Sequence, residues 1–330
     1  MTETETTEGW QPDAALGGEF QARTIALRPD AHGDVVATLV RLPATANPGR
    51  GSVLWVHGWA DYFLQGELAG QLAALGFDVY GLDLRRYGRS IRPGQEINFS
   101  TNMHDYFEEL DTAAELIRAE PGYRRLIVIG HSTGGLVTSL WSHARRANGV
   151  VDGLVLNSPW LELAEPWTSR VLASPLIQLL GRVAPMFALR PTSSTAYGES
   201  LHKDYHGEWD YRLDWKPLPA VPVRAGWLAA VRRGHRELHK GLDVRGPVLV
   251  MHSDKSLLHQ LKWTEPIMHV DAVLDVGQIR QWAPKIGANT ETVAIPGGLH
   301  DLFLSAPPVR ANALATLTAW LDKHFPASNP

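Results

Sequence analysis

Ser132 lies two residues after Gly130 and two before Gly134, in the stretch Gly130-His-Ser-Thr-Gly134. This spacing is typical of a serine that attacks a substrate as a nucleophile. The apolar run Leu126–Ile129 before it predicts a buried strand, and a helical pattern follows over Gly134–Ala147. A Gly-x-Ser-x-Gly turn from a strand into a helix is typical of a nucleophile elbow, whose strained backbone exposes the hydroxyl and whose glycines leave room for the turn. The helix behind it offers free N–H groups to a developing anion. We therefore predict Ser132 as the attacking residue; the competing interpretation is a glycine-rich turn with an incidental serine.

A serine hydroxyl is a poor nucleophile near neutral pH unless a neighbouring base accepts its proton. Histidine suits this role best, because its ordinary pKa lies near ~6.5. In enzymes that use this elbow, the residues follow the chain order serine, acid, histidine. His300 fits that order: the strand pattern Glu291–Ile295 ends shortly before it, and Gly297 and Gly298 turn the chain. We predict His300 as the base.

Three aspartates could orient that base, and all follow the strand pattern Pro247–Met251. Asp254 is nearest to the strand end. Asp271 is followed by apolar residues and the start of a helical pattern, at which Asp275 could be a helix N-cap. We favour Asp271, while Asp254 and Asp275 remain open alternatives.

Two backbone N–H groups are expected to stabilise the negative charge of a tetrahedral intermediate. One belongs to Thr133, the residue after the nucleophile, and the other to the loop after the strand pattern Ser52–Val56. In that loop we predict Trp59 as the donor, with Gly58 allowing close passage. We interpret His57 as a buried, hydrogen-bonded loop histidine without a catalytic role.

Strand and helix patterns alternate along most of the chain, which predicts an α/β fold with a mostly parallel central sheet and helices on both faces. Two alternating segments, Phe20–Leu27 and Asp34–Leu42, predict an antiparallel opening pair. The alternation stops between residues 160 and 244, where we predict an irregular insertion that caps the ligand-binding edge of the sheet. We therefore divide the chain into a disordered acidic N-terminal tip (1–18), a core domain (19–159 and 245–330) and a cap (160–244).

The composition limits the classes of partner and the compartment. Among 330 residues, 44% are hydrophobic and 20% charged, which is ordinary for a globular enzyme, and the net charge of −4 gives no support to a nucleic-acid partner. The absence of cysteine excludes disulfides and thiolate sites, and it suits a cytoplasmic location. No signal peptide or membrane-spanning stretch is expected. The oligomeric state stays open.

Five stretches together resemble the α/β-hydrolase superfamily, in particular its monoglyceride lipase, lysophospholipase and serine-aminopeptidase-like branch. They are Val56–Asp61, Leu82–Ser90, Gly130–Gly135, Asp271–Asp275 and Gly297–His300. The resemblance implies an α/β-hydrolase fold with a cap, a triad of Ser132, Asp271 and His300, and N–H donors at Trp59 and Thr133. The chain departs from the family in two places: Arg86 and Tyr87 replace the usual Gly-His pair, and 252–270 would be an insertion before the acid.

From these residues we expect a serine hydrolase that cleaves carboxylic esters, with a small-molecule ester or a lipid-like molecule as substrate and no metal or organic cofactor. The insertion carries aromatic and leucine side chains that could line an acyl pocket or form the core of the cap: Trp160, Trp167, Trp209, Trp215, Trp227, Leu176, Leu179, Leu180 and Leu189. Two alternatives stay open. The same triad could serve amide hydrolysis, acyl transfer or perhydrolysis, or the fold could belong to a binding protein without catalytic activity.

Overall fold

The computed structural model describes residues 9–46, 49–164, 167–190 and 194–327, without the side chains of 167–173 and 190. The strands in these ranges are β1 (Gln11–Pro12), β2 (Gln21–Ala26), β3 (Val36–Leu42), β4 (Gly51–Val56), β5 (Phe77–Asp83), β6 (Leu126–His131), β7 (Gly153–Asn157), β8 (Ala188–Arg190), β9 (Val223–Arg224), β10 (Val248–Ser253) and β11 (Thr290–Ile295). The α-helices are α1 (Gly66–Ala74), α2 (Phe107–Arg118), α3 (Thr133–Ala144), α4 (Trp167–Val183), α5 (Ala196–Glu199), α6 (Ala225–His239), α7 (Val276–Trp282) and α8 (Pro307–His324).

Nine of these strands form one sheet, in the order β1-β2-β3-β5-β4-β6-β7-β10-β11. The strands from β5 to β11 in this order pair in parallel, whereas β1, β2 and β3 pair in antiparallel register at one edge. The predicted α/β organisation and the antiparallel opening pair are therefore confirmed. The parallel strands β4, β6, β7 and β10 are buried along their whole length, as expected for a sheet covered on both faces.

Two apolar clusters hold the helices against the sheet, one on each face. Helices α2, α3, α6 and α7 contribute to the first cluster, whose largest buried side chains include Trp141 and Trp227. Helices α1 and α8 contribute to the second, around Trp55 and Trp320. Because the parallel strands all run in the same direction, the loops after β4, β6, β10 and β11 meet at their carboxyl edge.

The N-terminal boundary that we predicted is wrong for residues 9–18. Strand β1 pairs with β2, and Asp13 is buried with both carboxylate oxygens on the guanidinium of Arg89, at 2.7 and 2.8 Å. Trp10 receives the guanidinium of Arg41 on its ring face. These contacts anchor a segment whose composition alone suggested disorder. Residues 1–8 of the predicted tip lie outside the described residues.

The inserted segment, residues 158–247 between β7 and β10, is also more regular than we predicted. It contains the long helices α4 and α6, which pack against each other. Proline and glycine in α4 disguised the helical pattern: Pro175 lies inside the helix, and a Cβ on Gly181 would lie 2.5 Å from the Cβ of Ala229 in α6. The buried face of α6 includes Arg232 and His235, so its apolar stripe is interrupted.

None of the helices in the described ranges combines the length and the apolar composition needed to cross a membrane.

Candidate active site

Ser132 lies at the turn from β6 into α3 and has a backbone conformation that non-glycine residues rarely adopt, with φ 53° and ψ −117°. Hydrogen bonds on both sides hold this turn. The N–H of Ser132 donates to the carbonyl of Asn157 (3.1 Å), and its carbonyl accepts from the N–H groups of Gly135 (3.0 Å) and Trp160 (2.9 Å). Such strain persists only where the surroundings over-determine the backbone, and it is common at catalytic residues.

The glycines around Ser132 are required by close backbone packing. A Cβ on Gly130 would lie 2.3 Å from Oγ1 of Thr138 and 2.8 Å from the carbonyl oxygen of Gly134. A Cβ on Gly134 would lie 2.4 Å from the carbonyl oxygen of His57. The sequence pattern therefore reflects a steric requirement, as we predicted: larger residues would force the elbow open.

The β4–α1 loop (57–65) lies directly against the elbow. A Cβ on Gly58 would be 3.0 Å from the Cβ of Ser132, so glycine allows the loop to approach the serine. Both ring nitrogens of His57 are engaged within the fold: Nδ1 donates to the carbonyl of Gly58 (2.7 Å), and Nε2 accepts from the N–H of Leu84 (3.1 Å). Our interpretation of His57 as a buried, hydrogen-bonded loop residue is confirmed.

The turn after β5 packs against this loop, and it contains Arg86 and Tyr87, the two residues that differ from the family pattern that the sequence resembles. Arg86 has a φ of 64°, a left-handed conformation that the glycine usual at this position adopts without strain. Its guanidinium binds both oxygens of Asp30, at 2.7 and 2.8 Å, which holds the side chain in place. Tyr87, in place of the usual histidine, packs its ring 4.8 Å from that of His57.

His300 is buried and contacts one of the three candidate acids. Its Nδ1 lies 2.9 Å from Oδ2 of Asp271, which is fully buried. The other oxygen of Asp271 accepts from the N–H groups of Val273 (2.8 Å) and Leu274 (2.7 Å). The backbone thus fixes the carboxylate, and the carboxylate fixes the imidazole with Nε2 left for another partner.

The two alternative acids have other contacts. Oδ1 of Asp254 accepts from the N–H of Gly297 (2.9 Å), and Asp275 is the N-cap of α7, with its carboxylate accepting from Gly277 (2.8 Å). Asp254 therefore holds the turn before His300, and Asp275 has the helix-capping role that we considered for it. Of the three, Asp271 is the one whose carboxylate touches the imidazole.

The insertion before Asp271 does not move this residue away from the sheet. After β10 the chain makes an excursion and returns, so that Asp271 forms a β-bridge with Ser256. The N–H of Asp271 donates to Lys255 (2.9 Å), and its carbonyl accepts from Leu257 (3.0 Å). In space, Asp271 is thus beside residues only two to four positions beyond the strand end. The residues between β10 and Asp271 thus form a loop that leads Asp271 back to the end of the strand.

His300 also lies next to the elbow. Its ring centre is 4.8 Å from that of His131, the residue preceding Ser132. Burial lowers the pKa of His131, and Nδ1 of that ring contacts the carbonyl of Asn157 (3.0 Å). The structure thus brings the elbow, His300, Asp271 and the β4–α1 loop together at the carboxyl edge of the sheet.

Sequence reasoning missed a polar network that supports the base from behind. Asp301 is buried; its Oδ1 accepts from the side-chain amide of Asn157 and its Oδ2 from that of Gln65, both at 2.8 Å. The N–H of Asp301 donates to the hydroxyl of Tyr197 (3.1 Å), a residue of α5 in the inserted segment. The one signal in the sequence is that Asp301 directly follows His300; nothing local indicates its distant partners.

The aromatic residues of the inserted segment divide into two groups around this site. Trp227 stacks on Trp59 with ring centres 4.9 Å apart, and Trp160 lies 5.7 Å from Trp227. Trp209 and Trp215 pack with a third apolar cluster that joins the β4–α1 loop to the chain after His300. Leu176 and Leu179 are 58% and 56% exposed, so they do not belong to a core. Leu180 and Leu189 are half-buried, and the side chain of Trp167 lies outside the described residues.

Comparison with known proteins gives a consistent family assignment. A family model described as serine aminopeptidase, S33 (Hydrolase_4) matches residues 47–305. The monoacylglycerol lipase of Mycolicibacterium smegmatis is 24% identical over 278 residues, which cover 84% of this chain and 89% of that lipase. Lysophospholipase L2 of Escherichia coli strain K12 is 34% identical over 101 residues, 30% of this chain and 29% of that protein.

Solved structures show the same fold. A soluble variant of monoglyceride lipase from Saccharomyces cerevisiae, in complex with a substrate analog, superposes with a TM-score of 0.68 at 20% identity and covers 91% of this chain and 94% of its own. Monoacylglycerol lipase from Paleococcus ferrophilus superposes with a TM-score of 0.64 at 20% identity and covers 87% and 98%. At this identity the likeness establishes the fold.

Proposed function

We propose, given that the chain belongs to the serine aminopeptidase S33 family of α/β-hydrolases, that it hydrolyses carboxylic esters through an acyl-enzyme on Ser132. The observation that carries this proposal is the contact between His300 and Asp271 (2.9 Å) beside a strained serine turn. A buried carboxylate on one imidazole nitrogen leaves the other nitrogen available as a general base.

The reaction would proceed in two stages. Ser132 attacks the ester carbonyl carbon while Nε2 of His300 accepts the hydroxyl proton, and the imidazolium then donates that proton to the departing alcohol. Water, deprotonated by the same nitrogen, attacks the acyl carbon; the imidazolium then returns the proton to Oγ of Ser132 as the acyl C–Oγ bond breaks and the carboxylic acid leaves. Asp271 holds the imidazole with its proton on Nδ1 and stabilises the charge that forms during each transfer.

The tetrahedral intermediates need donors for their oxyanion. Thr133 is the first residue of α3, so its N–H belongs to the helix terminus, where such groups lack intrahelical acceptors. Trp59 follows Gly58, which lies against Ser132, and its N–H would be the second donor. Removing one donor of this kind typically costs about 10²–10³ in kcat.

Residues 160–244 are proposed as a cap over this site, and the substrate as a lipid-like or other apolar ester. Two observations support the substrate class: similarity to a monoacylglycerol lipase over 84% of this chain, and the half-buried tryptophans Trp59 and Trp160 beside the elbow, which pack on the buried ring of Trp227. Aromatic rings present a large apolar surface with little conformational entropy to lose.

A kinetic experiment with p-nitrophenyl esters of increasing acyl length tests the proposal. We expect a burst of p-nitrophenol followed by slower turnover, and a loss of about 10⁶ in kcat in Ser132→Ala, as found when other triads lose the serine. Amide, alcohol-acceptor and peroxide reactions run in parallel identify other uses of the triad. Full esterase activity in Ser132→Ala would refute the proposal, and no activity in a folded wild-type chain would favour a binding protein.

A further inference from the structure

The β4–α1 loop is held by the inserted segment at two points, on either side of Ala60. Before Ala60, the ring of Trp59 stacks on Trp227 of α6, with 29° between the ring planes. After Ala60, the carboxylate of Asp61 binds the ammonium of Lys216 at 2.6 Å. Ala60 itself has a φ of 52°, a left-handed conformation that an alanine adopts only where its neighbours enforce it.

The ion pair is buried on both sides. Asp61 is 1% exposed and Lys216 is 8% exposed. Oδ1 of Asp61 receives the ammonium, whereas Oδ2 has no hydrogen-bond partner among the described residues. Lys216 is therefore the side chain that compensates the charge of this buried carboxylate by a direct contact. Losing one partner of such a pair leaves an uncompensated buried charge, so the remaining group must move towards water or change its protonation.

The charges around Asp61 agree with this dependence. Burial acts to raise the pKa of Asp61, but Lys216, with His131 and His57, lowers it below the usual value overall. Burial is the main reason that the pKa of His57 and that of His131 are lowered, and the two members of the ion pair act on these rings in opposite directions: Asp61 raises each pKa and Lys216 lowers it. The ion pair is thus close to the two histidines beside the elbow and its supporting loop.

Further contacts pack this part of the inserted segment against the β4–α1 loop. The N–H of Arg212 donates to the hydroxyl of Tyr62 (3.0 Å), and the ring of Tyr62 meets that of Trp215 edge to face at 5.2 Å. These contacts place the segment before Lys216 against the same loop. Trp59, Ala60 and Asp61 are consecutive in the chain. A shift of the Asp61 carboxylate would therefore reach Trp59 through one residue, the strained Ala60.

We propose that Lys216 is a positioning residue for the reaction: its ion pair with Asp61 holds the β4–α1 loop so that the N–H of Trp59 faces the acyl carbonyl oxygen. The inserted segment then sets the geometry of the oxyanion donor as well as covering the substrate. This inference depends on the proposed function, because the donor matters only if an oxyanion forms.

The test compares Lys216→Met with two controls in steady-state hydrolysis of a p-nitrophenyl ester. We expect kcat to fall about 10- to 100-fold, because a donor displaced by a fraction of an ångström loses much of its effect, while KM changes less than about threefold. Lys216→Arg retains a cation and should recover most of the lost kcat. Lys203→Met removes an exposed ion pair with Asp210 in the same segment and should leave kcat unchanged.

A double variant separates positioning from folding. Asp61→Asn with Lys216→Met removes both buried charges, and we expect it to unfold at a higher urea concentration than Lys216→Met alone. If Lys216 positions the loop, the double variant stays about as slow as Lys216→Met, because the contact is still missing. Recovery of kcat together with stability would overturn the proposal, since the defect would then be one of folding.

The outcome also distinguishes this inference from the proposed function. If the wild-type chain hydrolyses esters and Lys216→Met has the same kcat, the positioning role is refuted and the ester hydrolase remains. If the folded wild-type chain neither hydrolyses esters nor reacts with a fluorophosphonate, the proposed function fails first and the positioning role fails with it.

Discussion

Asp271 and His300 are 29 residues apart in the chain, yet their side chains form a fully buried contact at 2.9 Å. The carboxylate is oriented by two backbone N–H groups, which donate to its other oxygen. The imidazole therefore has one orientation and one tautomer, with the proton on Nδ1. This arrangement is what an ester hydrolase of the proposed kind requires of its base.

Replacing Asp271 by asparagine tests the role of the acid. The new side-chain amide would donate to Nδ1, so the imidazole would carry its proton on the wrong nitrogen for accepting one from Ser132. We expect kcat for a p-nitrophenyl ester to fall about 10⁴-fold with little change in fold, as in other triads that lose their aspartate.

The matched controls are Asp254→Asn and Asp275→Asn, whose carboxylates contact Gly297 and Gly277. Both should keep kcat within a few-fold of the wild type. An Asp271→Asn chain that keeps most of its turnover, or a control that loses it, would show that the acid has been misassigned.

At the residue scale, the sequence indicated Ser132 and His300 through motif and order, but it left three candidate acids. The ambiguity had a physical cause: the chain leaves the sheet after β10 and returns, and only the β-bridge between Ser256 and Asp271 reveals where it returns. The partners of Asp301 were out of reach for the same reason, since Asn157 and Gln65 are distant in sequence.

At the scale of elements, the elbow works only if the β4–α1 loop reaches it. Gly58 makes this possible because it has no side chain at the point where the loop passes Ser132. The loop is also fixed by His57, which bonds to the turn after β5, and by the two contacts with the inserted segment. The position of the proposed oxyanion donor Trp59 thus depends on three separate elements.

Gly58→Ala tests this dependence. The new Cβ would lie 3.0 Å from the Cβ of Ser132, so the loop or the serine must shift by a few tenths of an ångström. We expect kcat to fall about tenfold or more, with a smaller change in KM, because the shift misplaces the oxyanion donor relative to the nucleophile. Steady-state kinetics with a p-nitrophenyl ester measure the effect.

Gly70→Ala is the matched control, since a Cβ at this exposed position in α1 meets nothing within 4 Å. Alanine has the higher helix propensity, so this variant should gain up to about 1 kcal/mol of stability and keep its kcat. Equal kinetics in Gly58→Ala and Gly70→Ala would contradict the proposed place of the loop.

Elements were predicted well where burial follows a simple period and poorly where it does not. The core strands appeared as short apolar runs, and β4, β6 and β10 lie within a few residues of their predicted bounds. Helices α4 and α6 were missed, because their contacts with each other use glycine, alanine and arginine, and the buried face of α6 includes His235 as well as Arg232. Likewise, the segment of β1 is held by a distant residue, since Arg89 binds Asp13 next to the strand, and no local pattern discloses this contact.

For the whole molecule, buried histidines predict how stability varies with pH. Burial is the largest cause of the lowered pKa of His57, His131 and His252. Below about pH 6.5 the unfolded chain binds protons on these rings, whereas the folded chain does not until lower pH. The free energy of unfolding should therefore fall as the pH falls, by up to about 1.4 kcal/mol per pH unit for each ring.

Urea denaturation at about pH 7 and about pH 5.5 measures this change. Asp61, whose pKa is lowered, contributes stability that is lost only as the pH falls below its ordinary value of 3.8, outside this window. We expect the urea midpoint to decrease between the two pH values. An unchanged or higher midpoint at the lower pH would contradict the buried, neutral state of these histidines.

The most direct test of the central claim is covalent labelling of the folded chain with a fluorophosphonate, read by intact mass and peptide mapping. We expect a single adduct, located on the hydroxyl of Ser132 in the peptide that contains the elbow, and none in Ser132→Ala. His300→Ala should label far more slowly, because the hydroxyl has lost its base. A folded wild-type chain that acquires no adduct, or that acquires it at another residue, would contradict the assignment of Ser132 as the nucleophile.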